Sequence, residues 1–323
     1  MDLFIFQNIE NDETVKALIE KDNTALLRGI IKFAELEGVT DNSLREYIAS
    51  LLANDDNVLS HLAKSGKKIG KDLYRLAALD IEMIYKRLFN TKIKYKPSGN
   101  ETGYYSAYTE SIRGITGAGT AGELLDRLIA HYKTLGSGVM AKYVAFKFDG
   151  EITGVPHTDK TQFDDIVGME HQKQVLIDNT RAFVNGEFAN NVLLFGDRGT
   201  GKSSSVKALL NMFAPEGLRV IELPKSAITL IPELTKRLED SPHKYILFLD
   251  DLTFERHDTE YRALKIAMDG QIQAAAGNVL VYATSNRRHL IRETWADRDG
   301  GEVHVNDTKQ ETLSLAERFG ISL

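Results

Sequence analysis

The run Gly196-Asp197-Arg198-Gly199-Thr200-Gly201-Lys202-Ser203 has the residue types and spacing to hold a polyphosphate. It fits G-x-x-x-x-G-K-S, with Ser204 next in line. Glycines let the backbone curl so that successive N–H groups point inward at phosphate oxygens. A helix starting at the phosphates adds its free N–H groups and the positive end of its dipole. In such a loop the lysine, here Lys202, reaches the β- and γ-phosphates, and the Ser203 hydroxyl holds Mg²⁺. The competing reading is a glycine-rich turn with an incidental lysine. The flanking pattern argues against it, because an apolar strand precedes the loop and a helix follows.

A second group of candidates lies one strand–helix unit further on. Tyr245-Ile246-Leu247-Phe248-Leu249 is an apolar strand that ends in Asp250-Asp251. Behind a phosphate loop, an acid in the place of Asp250 holds Mg²⁺ through water. The next acid, Asp251, is placed to polarise a water for attack on the γ-phosphate. Alone, the pair would read as two aspartates opening a loop. A third strand, Val279 to Ala283, ends in Thr284-Ser285-Asn286. Ligands in parallel sheets bind at the carboxyl ends of strands, so Asn286 is a candidate to orient the attacking water. Its plainer reading is a strand-ending turn residue.

The elements needed to position these groups are legible from periodicity. Val192 to Phe195 reads as a short buried strand, and Ser205 to Phe213 as a helix with Val206, Leu209, Leu210 and Phe213 on one face. From Phe163 onward strands and helices alternate: a helix over Gln172–Phe183, a strand over Arg219–Leu223, a helix over Ala227–Leu238 and a helix over Tyr261–Ala276. The fold class predicted is α/β: a parallel sheet flanked by helices. The first part is predicted to be mostly helical, with apolar faces around Leu26–Leu36, Tyr47–Leu52, Ile69–Leu88 and Leu124–Tyr132. Val139–Phe148 alternates, Asp149-Gly150 is a turn pair, and Ile152–Val155 is expected to pair back as a hairpin. Pro156–Thr161 reads as a linker. The expected domains are therefore 1–160, helical with a C-terminal hairpin, and 161–323, the nucleotide-binding α/β domain.

Composition narrows the classes. A length of 323 residues with 42% hydrophobic and 27% charged residues is that of a globular protein with more than one core. There is no cysteine, which excludes disulfides, thiolate metal sites and cysteine nucleophiles. No signal peptide is evident, and no apolar run reaches the ~18 residues that span a bilayer, so a cytoplasmic protein with no membrane partner is expected. A net charge of −6 speaks against general charge-driven nucleic-acid binding. Two features of the first half compete for attention. Gly117–Gly122 fits G-x-G-x-x-G, but no strand precedes it, so it reads as a glycine loop at a helix start rather than a dinucleotide site. Lys64, Lys67, Lys68, Lys71, Arg75, Lys86, Arg87, Lys92, Lys94 and Lys96 interleave with Tyr74, Tyr85, Phe89 and Tyr95. That pattern suits a nucleic-acid surface, but a solvated helix face is the preferred reading.

Taken together, these residues resemble the AAA+ superfamily of P-loop NTPases. Phe163-Asp164-Asp165-Ile166-Val167-Gly168 looks like the motif that packs by the adenine base, with Val167 and Gly168 as its base-binding residues. Asn286 falls at the first sensor. Leu315-Ala316-Glu317-Arg318-Phe319-Gly320 looks like the segment that carries the arginine finger, which makes Arg318 a group that serves a neighbouring subunit's γ-phosphate and implies self-association. More narrowly, Asn190–Leu194, the phosphate loop and Tyr282–Ile291 are similar to the bacterial family known as domain of unknown function 815, a set of predicted AAA+ ATPases. The resemblance covers Phe163 to the end. It implies ATP and Mg²⁺ as ligands, and hydrolysis of ATP coupled to remodelling or loading a macromolecular partner, protein or nucleic acid. The alternative is an ATP-dependent switch or adaptor that hydrolyses little or nothing. Two departures from the pattern bear on this choice. The superfamily usually has Asp-Glu where this chain has Asp250-Asp251, and the shorter acid implies slow turnover. The helical lid with its second sensor arginine does not follow Arg318, so a lid-less domain is expected.

Overall fold

The structure, a computed structural model, describes residues 1–37, 43–93, 104–254, 259–268, 277–286 and 318–323. The chain divides into two compact units: Met1–Tyr143 with Asp240–Pro242, and Val144–Glu239 with His243–Leu323.

The first unit is helical: α1 (Gln7–Asn11), α2 (Glu13–Glu20), α3 (Asn23–Glu37), α4 (Ser43–Asn54), α5 (Val58–Lys64), α6 (Lys71–Ile84, continued by a π turn at Tyr85–Phe89), α7 (Ser106–Thr116), α8 (Ala121–Leu135) and α9 (Val139–Lys142). The apolar faces read from the sequence supply its core, including Leu26, Ile30, Ile48, Leu52, Ile81, Leu88, Leu128 and Tyr132. Asp80 is fully buried, and its carboxylate accepts the backbone N–H groups of Phe4, Ile5 and Phe6. These bonds satisfy a charge that would otherwise be costly to desolvate and fasten the N-terminal segment to α6.

The glycine loop of this unit takes its plainer reading. Ahead of α8 the Thr120 hydroxyl accepts the Glu123 N–H at 3.1 Å, and the Glu123 carboxylate accepts the Gly119 N–H at 2.8 Å. The loop's own side chains thus cap the helix, and the element before it is α7, not a strand. Among the basic residues, Lys64 pairs with Asp56, Lys67 with Asp240 and Lys86 with Glu82. Phe89 is buried beneath the Arg45 guanidinium. Lys94, Tyr95 and Lys96 lie outside the described residues.

The second unit is a seven-stranded sheet: β1 (Ala145–Phe148), β2 (Ile152–Gly154), β3 (Val192–Phe195), β4 (Leu218–Glu222), β5 (Lys244–Leu249), β6 (Val279–Ser285) and β7 (Ile321–Ser322), in the order β2-β1-β4-β5-β6-β3-β7. All pairings are parallel except the β1–β2 hairpin. Among its helices are α10 (Glu170–Val184), α11 (Lys202–Phe213), α12 (Ile231–Leu238) and α13 (Thr259–Ile266). The strands β3, β5 and β6 are near-continuous apolar runs, as a sheet covered on both faces requires. Residues 269–276, read from the sequence as the end of a helix, lie outside the described residues.

The hairpin forms, but not where the sequence reading put it. β1 pairs in parallel with β4, Phe146 opposite Ile221, so the hairpin is an edge of the second unit's sheet. The boundary falls at Tyr143/Val144 rather than at residue 160. The alternation predicted over Val139–Phe148 holds only in its second half. Gly136 and Gly138, at φ 79° and 64°, turn the chain into the short α9 before β1 begins.

Candidate functional site

β3 and β6 are neighbours whose onward connections run in opposite directions across the sheet, to β4 and to β7. Between the carboxyl ends of two such strands a crevice opens, and ligands of α/β sheets bind there. Register brings the candidate residues to one level. Leu194 pairs with Thr284, Phe195 with Ser285, and Leu249 with Ala283, so Asp250 emerges beside Thr284.

The phosphate-type loop leaves β3 at Gly196 and becomes α11 at Lys202. Gly196, Gly199 and Gly201 have φ of 145°, 79° and 87°, a backbone that side chains resist. Gly201 is required twice over, because a Cβ there would come within 2.9 Å of Ile166 Cγ2. Lys202 Nζ donates to the carbonyls of Gly196 and Asp197, both at 2.7 Å, which holds the ammonium over the loop.

Across the loop, Ser203 Oγ donates to Asp250 Oδ1 at 2.6 Å. Thr284 Oγ1 donates to the same oxygen at 2.5 Å and accepts the Asp251 N–H at 2.8 Å. Leu252 N–H donates to Thr284 O at 2.7 Å, which closes the turn after β5. Asp251 itself is left-handed at φ 50°, one of few non-glycine residues in that region. Its carboxylate receives Asn286 Nδ2 at 2.5 Å on one oxygen and faces the Arg198 guanidinium at 3.7 Å on the other. Together Arg198–Ser204, Asp250, Asp251, Thr284 and Asn286 line a cleft of about 300 Å³.

The structure therefore brings together the loop, both acids and Asn286. Thr284 is the residue the sequence reading missed. Its place at the end of an apolar strand was the available signal, and the hydroxyl's two contacts follow from the β5–β6 register. Val167 and Gly168 do not line the cleft; they follow Ile166, which lies against Gly201, and Val167 is 95% exposed. Arg318 is half-buried in the turn before β7. Ile321 pairs with Val192 at the start of β3, so Arg318 stands at the amino end of the strands. The length of β3 alone puts about 10 Å between it and the cleft. Residues 287–317 lie outside the described residues.

A family model described as "Protein of unknown function (DUF815)" matches residues 140–323, more than half of the chain. The chain belongs to the DUF815 family. The DUF815 region begins just before Val144, so it coincides with the second unit and includes the hairpin. No curated protein matches the chain. Among solved structures this DUF815 protein is similar to the Thermotoga maritima RuvB Holliday junction branch migration motor, at 20% identity over 50% of this chain and 47% of that one, TM-score 0.33. It is similar also to C. elegans PCH-2, at 18% over 49% and 43%, TM-score 0.34, and to Rhizobiales Trip13, at 16% over 50% and 62%, TM-score 0.32. The chain spans about half the length of the RuvB structure it matches. The P-loop sheet expected from the AAA+ resemblance is the fold of the DUF815 unit, on its own strand order and loop.

The donor set fits a magnesium nucleotide. A hydroxyl and a carboxylate oxygen converge at 2.6 Å, and hard oxygen donors suit Mg²⁺. Among the described residues no group of three or more His, Asp or Glu stands ready to hold a metal, so phosphate oxygens would complete the shell. No helix among the described residues is long and apolar enough to cross a membrane.

Proposed function

We propose that the chain binds ATP with Mg²⁺ in the Gly196–Ser204 loop and hydrolyses it to ADP and phosphate, coupled to remodelling or loading a macromolecular partner. The observation that carries the reading is the chain of contacts Ser203–Asp250–Thr284–Asp251–Asn286, which ties the first turn of α11 to the ends of β5 and β6 in one cleft beside the loop. Loop N–H groups and Lys202 would hold the phosphates. Ser203 and Asp250 would hold Mg²⁺, which neutralises charge on the β- and γ-phosphates when bound. Asp251 would accept a proton from the attacking water, and Asn286 would orient that water against it. Val167 and Gly168, beside the loop through Ile166, would cover the base.

Arg318 belongs at the far end of the strands from its own cleft, which supports action on a neighbouring copy's γ-phosphate and hence self-association. The partner would be a protein or a nucleic acid. The cytoplasm is the proposed location.

A steady-state phosphate-release assay tests the assignment. Lys202→Ala should abolish turnover and ATP binding; unchanged turnover would sink it. One observation favours the second reading, a switch that hydrolyses little: both oxygens of Asp251 already face donors, Asn286 and Arg198. ATP affinity without turnover at any protein concentration would select that reading.

A further inference from the structure

The segment 156–162 links the β1–β2 hairpin to the 3₁₀ turn at Phe163–Asp165, and it is fastened to the helix that starts at Lys202. Asn211 of α11 donates to two carbonyls of this strap, Asp159 O at 2.8 Å and Thr161 O at 2.7 Å. One turn nearer the loop, on the same helix face, Lys207 pairs with the Asp159 carboxylate at 3.0 Å. Asp159 also accepts the N–H and hydroxyl of Thr161, at 3.0 and 2.6 Å. These contacts, Thr161 first and then Lys207, hold the Asp159 carboxyl down at about 2. Beyond the strap, Phe163 and Ile166 are buried, Ile166 lies against Gly201, and Val167 is left open.

Phosphates would be gripped by the loop at the first turn of α11, and the base by Val167 and Gly168. Among the described residues no hydrogen bond joins the loop to the strap, and the nearest link runs through Ile166 against Gly201. The base segment is held from two sides: residues 159–161 are fastened to α11, and Lys173 Nζ donates to Ile166 O. Asn211 stands about 13 Å along the helix from Lys202, so one rigid rod references the base segment to the phosphate loop. We propose that Asn211, supported by Lys207, is the positioning residue that sets the preference for a nucleoside triphosphate over a bare triphosphate. This rests on the nucleotide reading above.

The test is calorimetric titration of the full chain, wild type and Asn211→Leu, with Mg²⁺ plus either ATP or inorganic tripolyphosphate. Wild type should bind ATP more tightly than tripolyphosphate. N211L should lose about 5- to 10-fold in ATP affinity, the low end of the scale of two lost hydrogen bonds, and keep its affinity for tripolyphosphate. Retained tripolyphosphate binding also reports a folded loop. Lys207→Met, a change at an exposed pair, should shift ATP affinity the same way by about twofold, which keeps the question open to measurement if N211L folds poorly. Equal losses for both ligands, or no loss for ATP, overturns the inference and leaves the nucleotide site standing. A wild-type chain that binds neither ligand overturns the nucleotide reading and this inference with it.

Discussion

Thr284 Oγ1 donates to Asp250 Oδ1 at 2.5 Å, the oxygen that also accepts from Ser203. The same hydroxyl accepts the Asp251 N–H, so one buried side chain fixes both acids. Thr284→Val keeps the volume and removes both bonds. Turnover should fall about 10- to 100-fold, from a lost bond to a charged group and an amide left unpaired. ATP affinity should move by no more than about twofold, since the loop is untouched. Thr284→Ser should restore turnover. Phosphate release and calorimetry on the three proteins check this; a T284V enzyme as fast as wild type removes Thr284 from the site.

Asp251→Asn keeps the shape of the side chain and tolerates the left-handed backbone, but it cannot take up a proton. Turnover should drop at least about 100-fold, the scale of a lost general base. Binding of ATP should persist, and the thermal midpoint should stay near the wild-type value. Single-turnover kinetics with radiolabelled ATP would read the first point, and calorimetry the second.

Arg318 and the cleft stand at opposite ends of β3, which makes a mixing experiment decisive. Lys202→Ala should lose the loop's grip, and Arg318→Ala should lose the stabilisation given to a neighbour. Each variant alone should be inactive. Combined, the K202A copies supply their intact Arg318 to the R318A copies, and activity should return in proportion to mixed contacts. No recovery at any ratio argues against action between copies.

His131 offers a pH prediction for the helical unit. It is buried, its Nδ1 meets Ser111 Oγ at 2.8 Å, and its Nε2 has no hydrogen-bond partner among the described residues. Burial pushes the imidazole down from 6.5 to about 4. The unfolded chain therefore takes up the proton first. The contribution is complete above pH 6.5 and is lost as pH falls toward 4, by about 3 kcal/mol at most. His131→Gln removes the titrating group. Chemical denaturation at pH 7 and pH 5 should show a larger loss for wild type than for H131Q; equal losses would count against the assignment.

Much of the site is readable because its requirements are local. The spacing Gly196-x4-Gly201-Lys202-Ser203 and the apolar run before Asp250 each lie within one turn and one strand. What is not readable depends on pairing between distant segments. Thr284 looks like an ordinary β-branched strand residue until β6 is set beside β5. The hairpin looks like the end of the helical half until Phe146 is set beside Ile221. Val139–Lys142 carries three apolar residues in a row rather than an alternation, and after two glycines at positive φ it forms a helical turn. The position of Arg318 likewise follows from β7 joining β3, a contact across more than a hundred residues of chain.

The left-handed backbone at Asp251 also limits how this chain can change. Aspartate and asparagine enter that conformation readily, whereas longer side chains do so at a cost. Asp and Glu codons lie a single base apart, so the longer acid is genetically close. In the left-handed backbone it would carry a strain of about 1–2 kcal/mol, a conformation this chain does hold at Lys21 and Met169. Aspartate here is thus the acid its own backbone favours, in a turn that Thr284 and Leu252 hold.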